Sequence, residues 1–201
     1  MRDKVIIIGA GENGEAAENI FRLRTEYAFS GFLDDSKTGK GVLGPISTFG
    51  SYIQDHLFFV SIGNNSIRKG IYTALKESGA RFASALHPEA YVEHGSTIGE
   101  NCMLGAFAYV NTKCCVGENT IINTGCIVEH HNTIGKHCHL APGVITAGGV
   151  LIEDGVFIGI GSTVRDHITI GEDGFFGAAS NVVADTGARS KYYGNPARLV
   201  G

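Results

Sequence analysis

The feature that most constrains the fold of this chain is a six-residue repeat in its second half. Sixteen hexads run from His87 to Val182 without a change of register, and the sixth place is aliphatic or Phe in all of them except at Thr146. The fourth place is usually small. Because side chains alternate between the two sides of a strand, the fourth and sixth places point one way and the fifth points the other. The period predicts a parallel β-helix with the fourth and sixth places inside.

Hexads of this kind resemble the left-handed β-helix of the hexapeptide-repeat acyltransferases. In that fold three hexads make one triangular coil, so residues 18 apart stack at about 4.8 Å. The usual crossover rule favours the opposite hand, so the left hand is implied by the resemblance alone. Gly or Asn often opens a hexad, where we expect a turn with positive φ. A β-sandwich does not hold such a register over this length.

Composition narrows the class of protein. The formal net charge is -4 and no apolar run has the length of a membrane span, which argues against nucleic acid and membrane as partners. Five cysteines without a C-x-x-C pair predict reduced thiols and a cytoplasmic protein. The repeat places four of them on the inward fourth place and Cys115 on the outward fifth.

The first half predicts a small α/β unit, a Rossmann-like half-fold. An apolar strand ends at a Gly9-x-Gly11-x-x-Gly14 turn, and the pattern continues as β-α-β-β-α-β. The predicted domains are 1–86, this α/β unit, and 87–201, the β-helix with a C-terminal tail. The later elements are expected at 14–24 (helix), 27–33 and 57–62 (strands), 66–79 (helix with Ser66 as N-cap) and 81–86 (strand).

The Gly-rich turn followed about 20 residues later by Asp34-Asp35 is the pattern of a dinucleotide site. A half-fold suits one nucleotide better than NAD. The helix N-termini at Gly11–Gly14 and Asn65–Arg68 both suit phosphate, and Arg68 adds positive charge. The alternative is that the glycines only make a tight turn and the aspartates only end a strand.

These segments together resemble one family over essentially the whole chain, the nucleotide-sugar N-acetyltransferases and sialic acid O-acetyltransferases. The motifs are the Gly-rich turn, Leu33-Asp34-Asp35, the IGNN-x-IRK segment at 62–69, Glu129-His130, and Gly194-Asn195-Pro196-Ala197-Arg198. The resemblance implies a homotrimer with active sites between subunits, acetyl-CoA as co-substrate and no metal. The implied reaction is acetylation of the 4-amino group of a UDP-, dTDP- or GDP-linked amino-deoxy sugar, with O-acetylation of a sugar or sialic acid as the alternative.

The resemblance also implies the site residues. His130 is the expected general base, and we group His131 with it as catalytic. His139 and Gly148 are expected near the acetyl end of CoA. The expected substrate-binding residues are Gly11, Asn13, Gly14, Asp34, Asp35, Gly63, Asn64, Asn65 and Arg68. Relatives often carry His where this chain has Asn13, and Asp or Glu where it has His131.

Stacking by 18 separates the histidines of the segment IVEHHNTIGKHCHLAPG into four columns. His130 falls in the column of Gly148, while His131 and His137 are expected at the surface. His139 falls in an outward apolar stripe with Met103, Ile121, Phe157 and Phe175, which we expect to be a subunit contact.

Two other functions remain open at this point. The first is a γ-class carbonic anhydrase, a trimer that binds zinc through three histidines. His94 and His130 have the spacing of two of its ligands, but Gly135 stands where the third is expected. The second is a non-catalytic nucleotide-binding scaffold.

Overall fold

The first part of the chain is a parallel sheet with an α-helix against each side. The computed structural model describes residues 2–39 and 41–200. The elements are β1 Asp3–Ile8, α1 Glu12–Leu23, β2 Tyr27–Leu33, β3 Val42–Gly44, a 3-10 helix Ile46–Ser51, β4 Leu57–Val60, α2 Asn65–Glu77 and β5 Arg81–Phe82. The five strands are all parallel and lie in the order β3-β2-β1-β4-β5, which is the order of half a dinucleotide-binding fold.

The apolar run of β1 explains this layering. Val5 and Ile7 pack with α1, and Ile6 and Ile8 pack against α2 on the other side. All four side chains are fully buried. A strand with both sides covered is typical of a parallel sheet, because its neighbours are joined by crossover helices.

Three local expectations need correction. The N-cap of α2 is Asn64, whose side chain accepts a hydrogen bond from the Ile67 N–H at 3.0 Å, and Ser66 lies inside the helix. The strand expected at 81–86 is two strands, because the second, β6 Ala85–Leu86, already pairs within the β-helix. The short strand β3 was not expected.

The second part is a triangular β-helix built from two-residue strands. Face 1 holds β6 Ala85–Leu86, β9 Met103–Leu104, β12 Ile121–Ile122, β15 His139–Leu140, β18 Phe157–Ile158 and β21 Phe175–Phe176, and is extended by β23 Lys191–Tyr193 and β24 Arg198–Leu199. Face 2 holds β7 Tyr91–Val92, β10 Tyr109–Val110, β13 Ile127–Val128, β16 Ile145–Thr146, β19 Thr163–Val164 and β22 Asn181–Val182. Face 3 holds β8 Thr97–Ile98, β11 Cys115–Val116, β14 Thr133–Ile134, β17 Leu151–Ile152 and β20 Thr169–Ile170.

From β6 to β22, strands of each face pair in parallel with the strands 18 residues away, as in Met103, Ile121, His139 and Phe157. The predicted fold class, a Rossmann-like half-fold followed by a left-handed parallel β-helix, is therefore confirmed. The inward places are confirmed as well, since the four fourth-place cysteines are fully buried and Cys115 is exposed. No helix among residues 2–39 and 41–200 is both long and apolar enough to span a membrane.

Positive φ occurs at the third place of the hexads and not at the opening place. Asn101, His131 and His137 adopt φ of 53°, 60° and 59° at three corners of this kind. The opening glycines serve close packing instead, because a Cβ on Gly117 would lie 2.7 Å from the backbone of Gly135 in the next coil. The expectation of positive φ at the opening place is therefore wrong.

The two parts of the chain pack over face 1. Ala17, Ile20 and Phe21 of α1 share an apolar cluster with Met103 and Ile121 of face 1. The apolar stripe of face 1 is thus covered from within the chain at Met103, Ile121 and His139, each less than 9% exposed. The expectation that this stripe is an exposed subunit contact is wrong for these three residues, because one domain of the chain covers the other.

Candidate active site

The first cavity lies where β1 and β4 end. Its volume is about 420 Å³, and its lining residues are Gly9, Gly11, Glu12, Asn13, Asp34, Ser36, Lys37, Ser61, Ile62 and Gly63. β1 and β4 are the strands between which the sheet order reverses, and α/β proteins bind ligands at such a point. Of the expected substrate-binding residues, the structure brings Gly11, Asn13, Asp34 and Gly63 together here. Lys37 and Ser61 were missed, because neither belongs to a motif.

The Gly-rich turn allows the helix to start directly against the strand. A Cβ on Gly14 would lie 2.1 Å from the Gly9 carbonyl oxygen, whereas a Cβ on Gly11 would meet nothing within 4 Å. Gly14 is therefore needed for packing, and Gly11 leaves space in the cavity. No side chain caps the N-terminus of α1, so its N–H groups are available to a phosphate.

Asp34 holds the loop at the edge of this cavity. Its carboxylate accepts hydrogen bonds from the N–H groups of Ala10, Ser36 and Lys37 and from the Ser36 hydroxyl, at 2.7 to 2.9 Å. Burial opposes ionisation, but these donors prevail and lower the pKa of Asp34 to about 2. Asp35 accepts from the Ile46 N–H at 2.8 Å and lines a neighbouring cavity of about 280 Å³.

A further cavity of about 460 Å³ lies between the two domains. Gly63, Asn64, Asn65 and Ser66 line it from one side, and Gly155, Phe157, Asp173, Gly174 and Phe175 from the other. The Asn65 side-chain amide donates to the carbonyls of Gly155 and Val156 at 2.9 and 3.1 Å. Since Gly63 lines both this cavity and the first, the two open toward the same turn.

Arg68 does not reach a cavity, and the expectation that it adds charge to a phosphate site needs correction. Its side chain is fully buried, and it donates to the carbonyls of Ile62, Asn119, His137 and Cys138 at 2.9 to 3.1 Å. Burial lowers its pKa to about 10, which leaves it charged at neutral pH. The guanidinium joins the two domains, and apart from Asn65 Oδ1 at 3.0 Å its partners are backbone carbonyls that no sequence motif reveals.

Two buried histidines lie under the N-terminal domain. His137 is 6% exposed, so the expectation of a surface histidine is wrong; its Nδ1 contacts Asn119 Nδ2 at 2.8 Å. His139 Nδ1 lies 3.4 Å from the Gly63 carbonyl oxygen, and its ring packs edge-on against Phe157. Burial lowers the pKa of each to about 4, so both are neutral at physiological pH.

His130 and Gly148 stack as the register predicted. A Cβ on Gly148 would lie 2.5 Å from Cε1 of His130, so the imidazole rests directly on the glycine. The Gly148 N–H makes no hydrogen bond within the described part of the chain. His130 Nδ1 lies 3.1 Å from His131 Nδ1, with the rings perpendicular. The Glu129 carboxylate instead accepts from Asn111 Nδ2 at 2.6 Å, and from the His130 backbone N–H at 3.4 Å.

The corner that carries His130 lies away from the cavities of its own chain. His130 stands between β13 of face 2 and β14 of face 3, which is the corner opposite face 1. Six residues span at most about 20 Å, so this corner is on the order of 15 Å from face 1. Within one chain, the structure does not bring His130 and the substrate-binding residues together.

The side chains that the structure describes are not arranged as the zinc site of a carbonic anhydrase would require. Across residues 2–39 and 41–200, no three His, Cys, Asp or Glu side chains gather closely enough to hold an ion. His94 and His130 stand two coils apart in their column, and the coil between them carries Thr112.

Comparison with known proteins finds sequence relatives of this chain. The PglD N-terminal domain family matches residues 4–75. A UDP-N-acetylbacillosamine N-acetyltransferase of Bacillus subtilis is 32% identical over 110 residues, or 51% of each chain, so the match spans about half the length of this curated relative.

Two solved structures match over nearly the whole chain. The acetyltransferase domain of PglB from Neisseria gonorrhoeae superposes with a TM-score of 0.95 at 27% identity, covering 99% of this chain and all of that one. PerB from Caulobacter crescentus, solved with CoA and GDP-perosamine, superposes with a TM-score of 0.91 at 30% identity, covering 98% and 97%. This chain belongs to the family of nucleotide-sugar N-acetyltransferases, which join a PglD-type N-terminal domain to a hexapeptide-repeat left-handed β-helix.

Proposed function

We propose that this protein transfers the acetyl group of acetyl-CoA to the 4-amino group of a nucleotide-linked amino-deoxy sugar. The observation that carries the proposal is the stacking of the His130 imidazole on Gly148, at a corner where an N–H donor and a base meet. The first cavity, with its uncapped helix N-terminus, suits the diphosphate of a nucleotide sugar. PerB, of the same fold, was solved with CoA and GDP-perosamine, and the PglB domain with acetyl coenzyme A.

His130 and Gly148 supply the groups that this reaction needs. The amine attacks the thioester carbonyl, and neutral His130 takes its proton. The Gly148 N–H donates to the oxygen on which negative charge develops. As the C–N bond forms and the C–S bond breaks, the thiolate of CoA leaves, and the proton held by His130 is available to it.

The separation of His130 from the cavities supports active sites shared between subunits of a homotrimer. Face 1 is covered, but face 2 presents an outward apolar column formed by Tyr91, Tyr109, Ile127 and Ile145. Tyr91 and Ile145 are 59% and 41% exposed. Packing of this column on a second copy puts the adjacent corner, with His130, at the subunit boundary. There it meets the second copy's interdomain cavity, which Gly63 lines and behind which His139 contacts the Gly63 carbonyl oxygen.

The cysteines support a cytoplasmic location, since all five are free thiols and four are buried without partners of their own kind. Acetyl-CoA as co-substrate fits the same compartment. Sugar O-acetylation remains the alternative acceptor chemistry.

A substrate panel tests the proposal. CoA release is followed with UDP-, dTDP- and GDP-linked 4-amino sugars, and thermal shift is measured with UDP, dTDP, GDP and CMP. We expect turnover with at least one amino sugar and a raised Tm with its nucleotide. No response to any nucleotide, together with acetylation of free sialic acid, would favour the O-acetyltransferase instead.

A further inference from the structure

The contact between His130 and His131 restricts which ring nitrogens of the pair carry a hydrogen. Their Nδ1 atoms lie 3.1 Å apart, so one nitrogen carries a hydrogen and the other a lone pair. The rings are perpendicular, with centroids 5.2 Å apart, which aims the edge of one ring at the other. The two residues are adjacent in sequence and meet because the chain turns at this corner.

The backbone shows that His131 holds a costly conformation. Its φ is 60°, which is uncommon for a residue with a side chain. Gly95 and Gly149 occupy the same place in other coils of this corner without that cost. Lys113 and His167 hold φ of 57° and 54° at the same place in other coils, so the left-handed backbone belongs to the corner and does not by itself mark His131 as functional.

We propose that His131 is a positioning residue that keeps His130 in its basic tautomer and disables it when protonated. This inference rests on the proposed function of His130. With its Nδ1 directed at His131, His130 must accept the proton of the amine on Nε2. Nε2 has a free lone pair only when the hydrogen of His130 sits on Nδ1, donated to a neutral His131. A protonated His131 must itself donate, which moves the hydrogen of His130 to Nε2 and blocks the base.

Among residues 2–39 and 41–200 no carboxylate hydrogen-bonds to the His130 ring, and Glu129 contacts Asn111 and the backbone of His130 instead. The ring of His167 lies against Gly149, in the coil after His131. The titratable and charged groups of this corner are Glu93, His94, Lys113, Glu129, His130, His131, Arg165, Asp166 and His167. The pair therefore differs from a histidine held by an acid, since a protonated imidazole donates a hydrogen bond where a carboxylate accepts one.

Four variants test the proposal by CoA release and thermal unfolding. His131→Gly removes the acceptor and also the backbone strain, so we expect kcat to fall about 10- to 100-fold while Tm is unchanged or raised. Lys113→Gly is the matched control: it relieves φ of 57° at the same corner, and its turnover should stay at the wild-type level. His131→Gln should keep most of the activity, because its amide oxygen accepts and does not titrate. His131→Glu should also stay active, with the acid limb moved to higher pH, because a carboxylate stabilises the imidazolium.

The slope of log kcat/KM against pH on the acidic side reports how many protons inactivate the enzyme. A purely structural role of His131 would leave that slope unchanged. In the wild type this slope should approach two at low pH, because protonation of either histidine blocks the base. In His131→Gln the slope should stay at one. An equal slope in both, or wild-type turnover in His131→Gly, would overturn the proposal.

Nitrogen NMR of the imidazoles, assigned with His130→Gln, tests the pair without any substrate. We expect the Nδ1–H tautomer at His130 above neutral pH. If His130 has this tautomer but no amino sugar gives CoA release, the hydrogen-bonded pair is supported and the proposed function is rejected. If His130 has the Nε2–H tautomer beside a neutral His131, the proposed role of His131 is rejected.

Discussion

At the scale of single residues, the geometry of the proposed catalytic corner depends on the absence of one methyl group at Gly148. Gly148→Ala places a Cβ 2.5 Å from His130 Cε1 and must displace the ring. We expect kcat to fall by about 10²-fold or more with little change in Tm, because the base is moved while the core is untouched. Gly50→Ala, which meets nothing within 4 Å, is the control. Unchanged kcat in Gly148→Ala would show that the stacking of His130 on Gly148 is not used.

Two buried histidines predict acid sensitivity of folding. Burial lowers the pKa of His137 and His139 to about 4, below the unfolded value of about 6.5. The unfolded chain therefore binds more protons, and stability that is full above about pH 6.5 is lost as pH falls toward 4. His137→Asn extends the Asn101–Asn119 column and should flatten this decline in Tm against pH. A Tm curve identical to that of the wild type would contradict the assignment.

At the scale of elements, Arg68 joins α2 to the β-helix. Arg68→Ala leaves buried carbonyls without donors and should lower the free energy of unfolding by about 3–5 kcal/mol. Arg68→Lys should not restore it, because one ammonium group cannot reach the same set of acceptors. Arg81→Ala, at an exposed position, is the control in urea unfolding. Weaker nucleotide binding with unchanged stability would instead place Arg68 at the phosphate.

The sequence predicted the elements of the β-helix better than their assembly. Sixteen hexads fix which places are inside, because a change of register would expose the aliphatic sixth place. They do not reveal which face the first domain covers, since apolar outward columns occur on both face 1 and face 2. The lining of the first cavity was predictable at Gly11, Asp34 and Gly63, and so was the contact of His130 with Gly148, because a motif or the stacking register applies at these places. The placement of Arg68 and His137 was not predictable, because their burial depends on packing between distant segments.

At the scale of the whole molecule, the proposed homotrimer with active sites shared between subunits predicts complementation between two inactive variants. Gly11→Phe fills the open space of the first cavity, and His130→Ala removes the base. Each site takes its cavity from one subunit and its His130 from another. In trimers assembled at random from equal amounts of the two variants, about a quarter of the sites therefore combine an intact cavity with an intact His130. We expect about that share of wild-type turnover after co-refolding. No recovery would mean that cavity and base act within one subunit.

The measurement that tests the central claim most directly is CoA release by His130→Ala with acetyl-CoA and a saturating nucleotide-linked 4-amino sugar. His94→Ala, in the same column, is the matched control and should be as active as the wild type. Loss of a general base predicts a fall of about 10²–10⁴-fold for His130→Ala. Near-wild-type turnover of His130→Ala, with the protein folded, would contradict the account.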